Sequence, residues 1–364
     1  MRRINSIQSL GHDVATASFR RSNMASRTAL SHGNIDLGHV DNHGFGNRFL
    51  KIFRGIKRVL AAPKTLKDAD VIIARNFDLL FIAWVVRKLA GRKSTPLVYE
   101  CLDIHGLFTR YGMVGRVMRR FERFLLARIQ LLIVSSPGFI ESYFLPIQKY
   151  SGPVSIIENK MWFEPPAQKR IKSKRSKTRA DAKTLTLGWV GSIRCATSLD
   201  ILLEAAGEMG PDLQIDIHGN IHRHVLGDFD KNIEGAENVA YHGAYTYPGD
   251  LDEIYASCDL VWAQDLWQRG ANSDWLLPNR IYEASWFGCP SVAVAGTQTG
   301  KRVQTSGLGL TINAATAQEL VKTLRPLKRG QINAMSKALL AMPDENFRQT
   351  EQDIAGALAP VLPT

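Results

Sequence analysis

The chain has 364 residues, of which 45% are hydrophobic and 22% are charged, and its formal net charge at pH 7 is +12. Two α/β cores of ordinary size fit this length, and no apolar run approaches the roughly 18 residues of a membrane span, so we expect a soluble protein. Its four cysteines are far apart and form no C-x-x-C pair, which disfavours a zinc ribbon or a disulfide framework and favours a reducing cytoplasm.

The charge is divided unevenly along the chain. Residues 1–180 carry 32 Lys and Arg against 12 Asp and Glu, a net charge of +20, whereas residues 181–364 carry 14 against 22, a net charge of −8. A strongly basic half needs an acidic partner, which could be an anionic membrane surface, a polyprenyl diphosphate, an acidic polysaccharide or a nucleic acid. The alternative is that the excess arginine only keeps the protein in solution.

Apolar runs alternate with helical patterns through most of the chain. Each run is short and continuous, as expected of a strand buried on both faces of a parallel sheet. The predicted strands are 71–74, 97–100, 131–135, 185–190, 213–218, 260–263 and 291–295. This alternation predicts an α/β fold with two doubly wound, Rossmann-like domains over 1–163 and 184–342. Residues 343–364 are predicted to form a C-terminal helix that could cross back to the first domain.

The chain opens unusually for a doubly wound domain. Residues 2–10 have the pattern of a helix end, and residues 11–18 that of the strand after it. The domain's first strand is therefore expected to be missing, which would leave a gap in a parallel sheet. Either the true start lies upstream of Met1, which we favour, or the domain lacks its central strand. Residues 1–10 have no apolar core and do not resemble a signal peptide.

Polar side chains follow two predicted strands of the first domain. Arg75 and Asn76 end one strand, and Glu100, Asp103 and His105 cluster at the end of the next. Carboxyl ends of parallel strands face the expected interdomain cleft, where Asp103 or His105 could orient or deprotonate a substrate hydroxyl. Arg75 and Asn76 could hold that substrate. A purely structural loop is the alternative.

Residues 114–129 have the pattern of an amphipathic helix. Its apolar positions, which we predict to face the core, are 114, 117, 118, 121, 124, 125 and 129. Its arginines lie largely on the other side, at Arg116, Arg119, Arg120 and Arg123. This face could meet anionic lipid, or it could simply be solvated.

The segment 164–183 is rich in Lys and Arg and has almost no apolar residues. We interpret it as a solvated interdomain linker or loop. A nuclear-localisation or nucleic-acid tract is the alternative.

The first crossover of the second domain contains groups suited to a diphosphate. Gly191 and Ser192 follow a predicted strand and would let backbone amides approach closely, and Arg194 could neutralise a departing anion. Thr197 or Ser198 is predicted to cap the next helix. The alternative is an ordinary turn with a surface arginine.

Further polar groups follow along the same domain. His218 and Gly219 end a strand, and Tyr245 lies after the next one, where it could flank a base. His218 could equally be a structural residue. The loop 264–277 is expected to enclose a hydroxyl-bearing ligand such as a sugar, with hydrogen bonds from Asn272, Ser273 and Asp274.

Residues 278–290 predict a short helix that a Gly-Cys-Pro turn ends. Asn279, Arg280 and Glu283 fall near its start, where unpaired N–H groups and the helix dipole attract phosphate. Arg280 can add donors, and Glu283 can accept from vicinal sugar hydroxyls. These features suit a nucleotide diphosphate sugar. An ordinary surface Arg–Glu pair is the alternative.

In the order in which they occur along the chain, these motifs resemble those of GT-B glycosyltransferases of family 4 and the related succinoglycan-type exopolysaccharide enzymes. The segments that carry the resemblance are 11–14, 70–75, 98–105, 188–194, 218–219, 241–243, 255–261 and 278–290. It implies two Rossmann-like domains facing a cleft, a Glu283 that holds the donor ribose, and a basic Arg194 beside the leaving diphosphate. It also implies metal-independent chemistry with no cofactor besides the nucleotide sugar. Many family members have a first glutamate where this chain has Trp275, so a two-glutamate mechanism is in doubt.

The sequence thus predicts a cytoplasmic glycosyltransferase, peripheral on the inner membrane, in surface-polysaccharide assembly. Its expected catalytic residues are Asp103, His105 and Glu283, and its acceptor is lipid-linked or a saccharide. One alternative is a nucleotide-sugar 2-epimerase, for which Glu100 and Asp103 could supply the additional carboxylates. Another is a basic nucleic-acid-binding protein, although no nucleic-acid module is recognisable and we expect no such partner.

Overall fold

A computed structural model describes residues 2–20, 33–39, 45–62, 69–163 and 183–362. The chain divides into two compact units, one of residues 1–157 with 350–364 and one of residues 158–349. The predicted linker, apart from Lys183, lies outside the described residues. No helix in the described ranges combines the length and the apolarity needed to cross a bilayer.

Six parallel strands of the first unit form two sheets. They are β1 (Thr16–Arg20), β2 (Asn34–His39), β3 (Ile72–Ala74), β4 (Leu97–Cys101), β5 (Leu131–Val134) and β6 (Val154–Ile156). Strands β1 and β2 pair with each other, and the other four form a sheet in the order β3-β4-β5-β6. In the described residues, the two sheets are thus not joined by strand pairing.

Six helices before residue 158 are described in this unit. They are α1 (Arg2–Gln8), α2 (Phe45–Leu60), α3 (Phe77–Leu89), α4 (Gly106–Thr109), α5 (Met113–Leu126) and α6 (Pro137–Phe139), with a π-helical turn at Ile140–Phe144. Asn76 caps α3, because its side chain accepts a hydrogen bond of 2.9 Å from the Leu79 amide. One apolar cluster packs α2 and α3 on β1 and β2.

Two buried glutamates lie within the first unit. Glu100 of β4 is held by Arg3 at 2.9 Å and by Arg75 at 2.7 Å. Burial raises the pKa of Glu100, but the two arginines more than offset this, so the pKa lies below its usual value. Glu122 of α5 accepts hydrogen bonds from Tyr143, Gln148 and Tyr99. There burial prevails and raises the pKa to about 7.

Helix α5, the predicted amphipathic helix, differs from the prediction in which side chains it buries. Val114 and Val117 were expected in the core but are more than half exposed, and buried Glu122 occupies part of the inner face instead. Arg119 and Arg123 are not free surface cations, because Arg119 donates to the carbonyls of Phe108 and Arg110 and Arg123 to those of Ile147 and Gln148. The helical periodicity classed Glu122 as a polar position on the outer face. Periodicity does not show the hydrogen-bond partners that allow Glu122 to be buried.

The second unit contains a six-stranded parallel sheet. Its strands are β7 (Leu185–Ile193), β8 (Leu213–Ile221), β9 (Val239–Tyr241), β10 (Leu260–Trp262), β11 (Ser291–Val294) and β12 (Gly309–Ile312). Their order is β12-β11-β10-β7-β8-β9, which is the 3-2-1-4-5-6 order of a Rossmann-type sheet read from the other edge. The topology reverses direction between β7 and β10.

Nine α-helices are described in the second unit. They are α7 (Ala196–Met209), α8 (Arg223–Leu226), α9 (Phe229–Ile233), α10 (Leu251–Ser257), α11 (Asn272–Trp275), α12 (Asn279–Trp286), α13 (Gln298–Thr305), α14 (Ala317–Leu324) and α15 (Arg329–Ala341). Buried apolar side chains cover both faces of the sheet in two clusters. This double burial explains why the strands read as continuous apolar runs.

The last helix, α16 (Glu351–Leu358), belongs to the first unit. Thr350 and Asp353 form a reciprocal capping box at its start. Ile354 and Leu358 are buried in one cluster with Val98 of β4 and Leu131 of β5. A chain segment distant in sequence therefore completes this core.

The predicted α/β architecture is confirmed, with differences at the element ends. All seven predicted strands are present, and the largest differences are at β7 and β8, which continue to Ile193 and Ile221. The strand expected at 11–18 begins only at Thr16. Strands β2, β6 and β12 were not predicted. Polar residues interrupt β2, Val154 and Ile156 of β6 are exposed, and Gly309 and Thr311 interrupt the apolar pattern of β12.

Candidate functional site

The point where the topology of the second sheet reverses lies between neighbouring strands β7 and β10. Leu187 pairs with Leu260 and Gly188 with Val261 in parallel register. In open parallel sheets, a crevice for ligands forms outside the carboxyl ends of the strands at such a point. Arg194 follows β7 directly and Asp265 lies shortly after β10, so the topology brings these two side chains to that crevice.

Arg194 is held at the crevice by two groups. Its Nη2 donates to Oδ2 of Asp265 at 3.3 Å, and its guanidinium carbon lies 4.7 Å from the centroid of the Trp267 ring. Asp265 is buried, and its Oδ1 accepts from the Trp267 amide at 3.0 Å and from the Ser273 hydroxyl. The sequence pattern indicated Arg194 but not Asp265. Its position immediately after an apolar run, at a strand's carboxyl end, was the available signal.

Two glycines and Arg280 form the centre of the site. Gly191 pairs with Gly219 across β7 and β8, so Gly191 and Ser192 lie within a strand and not in the predicted turn. A Cβ atom at Gly191 would lie 3.7 Å from Nη2 of Arg280, and Nη1 of Arg280 donates to the Trp262 carbonyl at 3.3 Å. Arg280 is therefore oriented over the half-buried backbone of Gly191, next to β10.

Helix α12 confirms the predicted helix after Pro278. Asn279 is exposed at its start, whereas Glu283 one turn later is only 5% exposed. Glu283 accepts a hydrogen bond of 3.4 Å from the Tyr255 hydroxyl. Burial, and then the negative charge of Glu283 and the neighbouring Tyr245, raise the pKa of Tyr255 well above its usual value. The alternative of a surface Arg–Glu pair is wrong, because Glu283 is buried.

Two histidines stack beside Gly219. The rings of His218 and His242 lie 4.4 Å apart and nearly parallel, and Nε2 of His242 is 3.2 Å from Oδ1 of Asp216. Burial, followed by the nearby His242, lowers the pKa of His218 to about 4, so its ring is neutral at pH 7. These three residues bring possible metal ligands together, which the sequence analysis did not foresee.

The other residues predicted to bind the nucleotide sugar differ in their exposure. Ser192 is exposed, and its hydroxyl lies 2.8 Å from Nε2 of His222. Asn272 and Ser273 are buried, so they organise the loop after β10 and do not present an open polar surface. The predicted cap of α7 is wrong. Cys195 caps this helix, with its sulfur accepting from the Ser198 amide, because Thr197 and Ser198 already lie inside the helix.

The predicted acceptor residues lie in the first unit. Arg75 is paired with Glu100, and Asn76 is used as a helix cap. Asp103 and His105 are exposed beyond the carboxyl end of β4, where His105 Nδ1 accepts from the Leu107 amide at 3.2 Å. The sequence-predicted cluster is therefore divided, with Glu100 in a buried ion pair and the other two groups near solvent.

Gly219 provides a test of the backbone contact at this site. A Cβ atom there would lie 1.7 Å from the Gly191 carbonyl oxygen, and its φ of +140° disfavours other residues. We expect Gly219→Ala to lower the free energy of unfolding by about 2 kcal/mol more than Gly243→Ala does. Gly243 is the matched control because it has a φ of +83° but open space around the added atom. Urea unfolding gives the free energy of unfolding of both variants. An equal decrease in the two variants would contradict the close contact at Gly219.

Comparison with known proteins supports the family to which the motifs point. The sequence model of the family described as glycosyl transferase 4-like domain matches residues 3–144. The succinoglycan biosynthesis protein ExoL of Rhizobium meliloti (strain 1021) is 34% identical over 317 residues, which are 87% of this chain and 78% of that protein.

Solved structures share the fold at lower identity. Anabaena Alr3699/HepE in complex with UDP-glucose superimposes with a TM-score of 0.65 at 19% identity, covering 90% of this chain and 86% of that one. Sucrose-phosphate synthase from Thermosynechococcus elongatus gives a TM-score of 0.73 at 14% identity, covering 98% and 90%. WaaG, a glycosyltransferase of lipopolysaccharide biosynthesis, gives 0.64 at 15% identity, covering 99% and 94%. The chain belongs to the family 4-like GT-B glycosyltransferases that include succinoglycan-type exopolysaccharide biosynthesis proteins.

Proposed function

We propose that this glycosyltransferase moves a sugar from a nucleotide diphosphate sugar to a lipid-linked or saccharide acceptor during exopolysaccharide assembly. The observation that carries the donor assignment is that Arg194, Arg280 and the half-buried backbone of Gly191 lie together at the reversal point of the second sheet. These groups concentrate positive charge and close backbone approach at the place where Rossmann-type sheets bind phosphates.

Different residues would bind different parts of the nucleotide sugar and the acceptor. Arg194 and Arg280 would contact the diphosphate and stabilise the negative charge that grows on it as the bond to the sugar breaks. Glu283 would accept hydrogen bonds from the ribose hydroxyls, and Tyr245 would flank the base. We assign Asp103 and His105, exposed beyond β4, to the acceptor hydroxyl. This chemistry requires no metal ion.

The donor assignment is tested by calorimetry with purified protein. UDP-glucose is the first donor to examine, since HepE was solved with it, followed by other nucleotide sugars. Glu283→Gln keeps the shape of the side chain but removes its charge, so we expect affinity for the donor to weaken by about 1–3 kcal/mol. Asp344→Asn, at the start of a 3-10 helical turn (Asp344–Asn346) of the same unit, serves as control. Unchanged affinity in Glu283→Gln would contradict the ribose contact.

We further propose that the first unit binds the anionic cytoplasmic face of the inner membrane. Apolar side chains at the start of α5 and just before it are unusually exposed, with Tyr111 at 98%, Met113 at 78% and Val117 at 58%. Arg116 and Arg120 of the same helix are also exposed. Apolar side chains that insert, flanked by arginines that meet anionic headgroups, suit the surface of a bilayer.

Sedimentation with liposomes tests this surface. Binding should require anionic lipid and fall as salt rises. Because each surface arginine contributes about 1 kcal/mol, Arg116→Gln with Arg120→Gln should weaken binding by roughly tenfold or more. Lys231→Gln with Lys337→Gln, exposed in the second unit, should have no such effect. Equal binding to neutral and anionic vesicles would exclude this role for the arginines.

A further inference from the structure

We propose that Asp265 is a positioning residue that fixes the guanidinium of Arg194 at the reversal point before a donor binds. This inference rests on the proposed function, because it assigns a role to a neighbour of the proposed diphosphate ligand. Asp265 itself need not touch the substrate. It acts through the direction it gives to Arg194.

The carboxylate of Asp265 is itself rigidly held. Its Oδ1 accepts from the Trp267 amide at 3.0 Å and from the Ser273 hydroxyl, and that hydroxyl in turn accepts from the Gln268 amide at 2.7 Å. Both Asp265 and Ser273 are buried. One carboxylate oxygen is thus bound to the loop, which leaves Oδ2 directed at Arg194.

Arg194 is constrained in two directions. The bond to Asp265 fixes an edge of the planar guanidinium, and the Trp267 ring fixes its face at 4.7 Å. Trp267 remains 46% exposed, so the ring is retained at the surface and not in the core. Together the two contacts hold a long and otherwise flexible side chain in one orientation.

The remaining donors of Arg194 are available for an anion. A guanidinium has five N–H groups, and within the described residues only Asp265 accepts a hydrogen bond from Arg194. The negative charge of Asp265 weakens the attraction of the site for a ground-state anion, whereas its alignment of Arg194 helps when charge grows on the leaving diphosphate. The two effects nearly cancel in the ground state, whereas in the transition state, where more charge must be stabilised, we expect the alignment of Arg194 to outweigh the repulsion from Asp265.

This opposition sets the expected result for Asp265→Asn. The asparagine oxygen can still accept from the Trp267 amide and the Ser273 hydroxyl, but its amino group cannot accept from Arg194. We expect kcat to fall about tenfold or more, while KM and the affinity for nucleoside diphosphate change less than about threefold. Ser273→Ala, which loosens the carboxylate without removing it, should give a smaller loss of kcat with the same unchanged KM.

A second buried Asp–Arg pair provides the control. Asp259 precedes β10, at the strand's opposite end, and accepts hydrogen bonds from Arg329 and, at 2.9 Å, from the Thr186 amide. Asp259→Asn should lower the melting temperature and leave kcat per folded molecule unchanged. A merely structural Asp265 would behave in the same way.

A double-mutant cycle completes the test. In an Arg194→Ala background, Asp265→Asn should cost nothing further, and added guanidinium ion at sub-denaturing concentration should restore activity only while Asp265 is present. Multiplicative losses in the cycle, or equal rescue with and without the carboxylate, would overturn the inference. Absence of transfer by the wild-type protein with every nucleotide sugar and membrane extract would instead refute the proposed function.

Discussion

Arg194→Ala is expected to reduce kcat for sugar transfer by about 10²–10³-fold, the loss typical of removing one preorganised charge-stabilising donor. The reason is that Arg194 follows β7 at the reversal point and is already oriented by Asp265 and Trp267. KM for the donor should rise much less, because most of its contacts remain. Initial rates measured over a range of nucleotide-sugar concentrations separate the two parameters.

Two further variants sharpen this expectation. Arg194→Lys keeps the charge but loses the planar fork and its stacking on Trp267, so it should recover only part of the activity. Arg223→Ala removes an exposed arginine whose partner is Asp230 and should leave kcat unchanged. If Arg194→Ala retained wild-type kcat, the leaving-group role of Arg194 would be wrong.

The buried Glu122 is expected to make stability fall as the pH rises from about 4.5 to about 7. Its pKa is about 7 in the folded protein, against a usual value of 4.5. Between these values, the folded state keeps a proton that the unfolded state has lost, so increasing pH favours unfolding. The full difference amounts to about 3 kcal/mol. Glu122→Gln cannot titrate and should lose this dependence.

Glu100, in the same unit, is expected to change the stability with pH in the opposite direction. Its pKa is lowered by Arg3 and Arg75, so its contribution is present above the usual pKa and is lost as the pH falls through the folded value. Urea unfolding at a series of pH values compares Glu100→Gln and Glu122→Gln with the wild type. An unchanged slope between pH 4.5 and 7 in Glu122→Gln would show that another group carries the effect.

Local patterns predicted the elements that bury both faces or that end at strong turn signals. Strands β4, β5 and β11 were found as apolar runs, and α12 was found because Gly288, Cys289 and Pro290 end it. Such features are short-range, so they can be recognised without knowledge of the fold.

The rest of the site depends on contacts between distant segments. Asp265 was missed because its partners, Arg194 and Ser273, are set by strand order and loop shape. Glu122 looked like a polar position of an amphipathic helix, although hydrogen bonds from Tyr143 and Gln148 allow it to be buried. Periodicity reports average polarity, and it cannot show which polar groups satisfy each other across the chain.

The return of α16 to the first unit affects the order in which the chain can mature on the ribosome. The strands of the first unit are synthesised early, yet the cluster around Val98 and Leu131 lacks Ile354 and Leu358 until nearly the whole chain has been made. At typical synthesis rates of about 5–20 residues per second, the intervening residues delay this step by on the order of ten seconds or more. Residues 158–349 can complete their own sheet during that interval. The nascent first unit thus exposes apolar strand surface to chaperones while the second unit is being made.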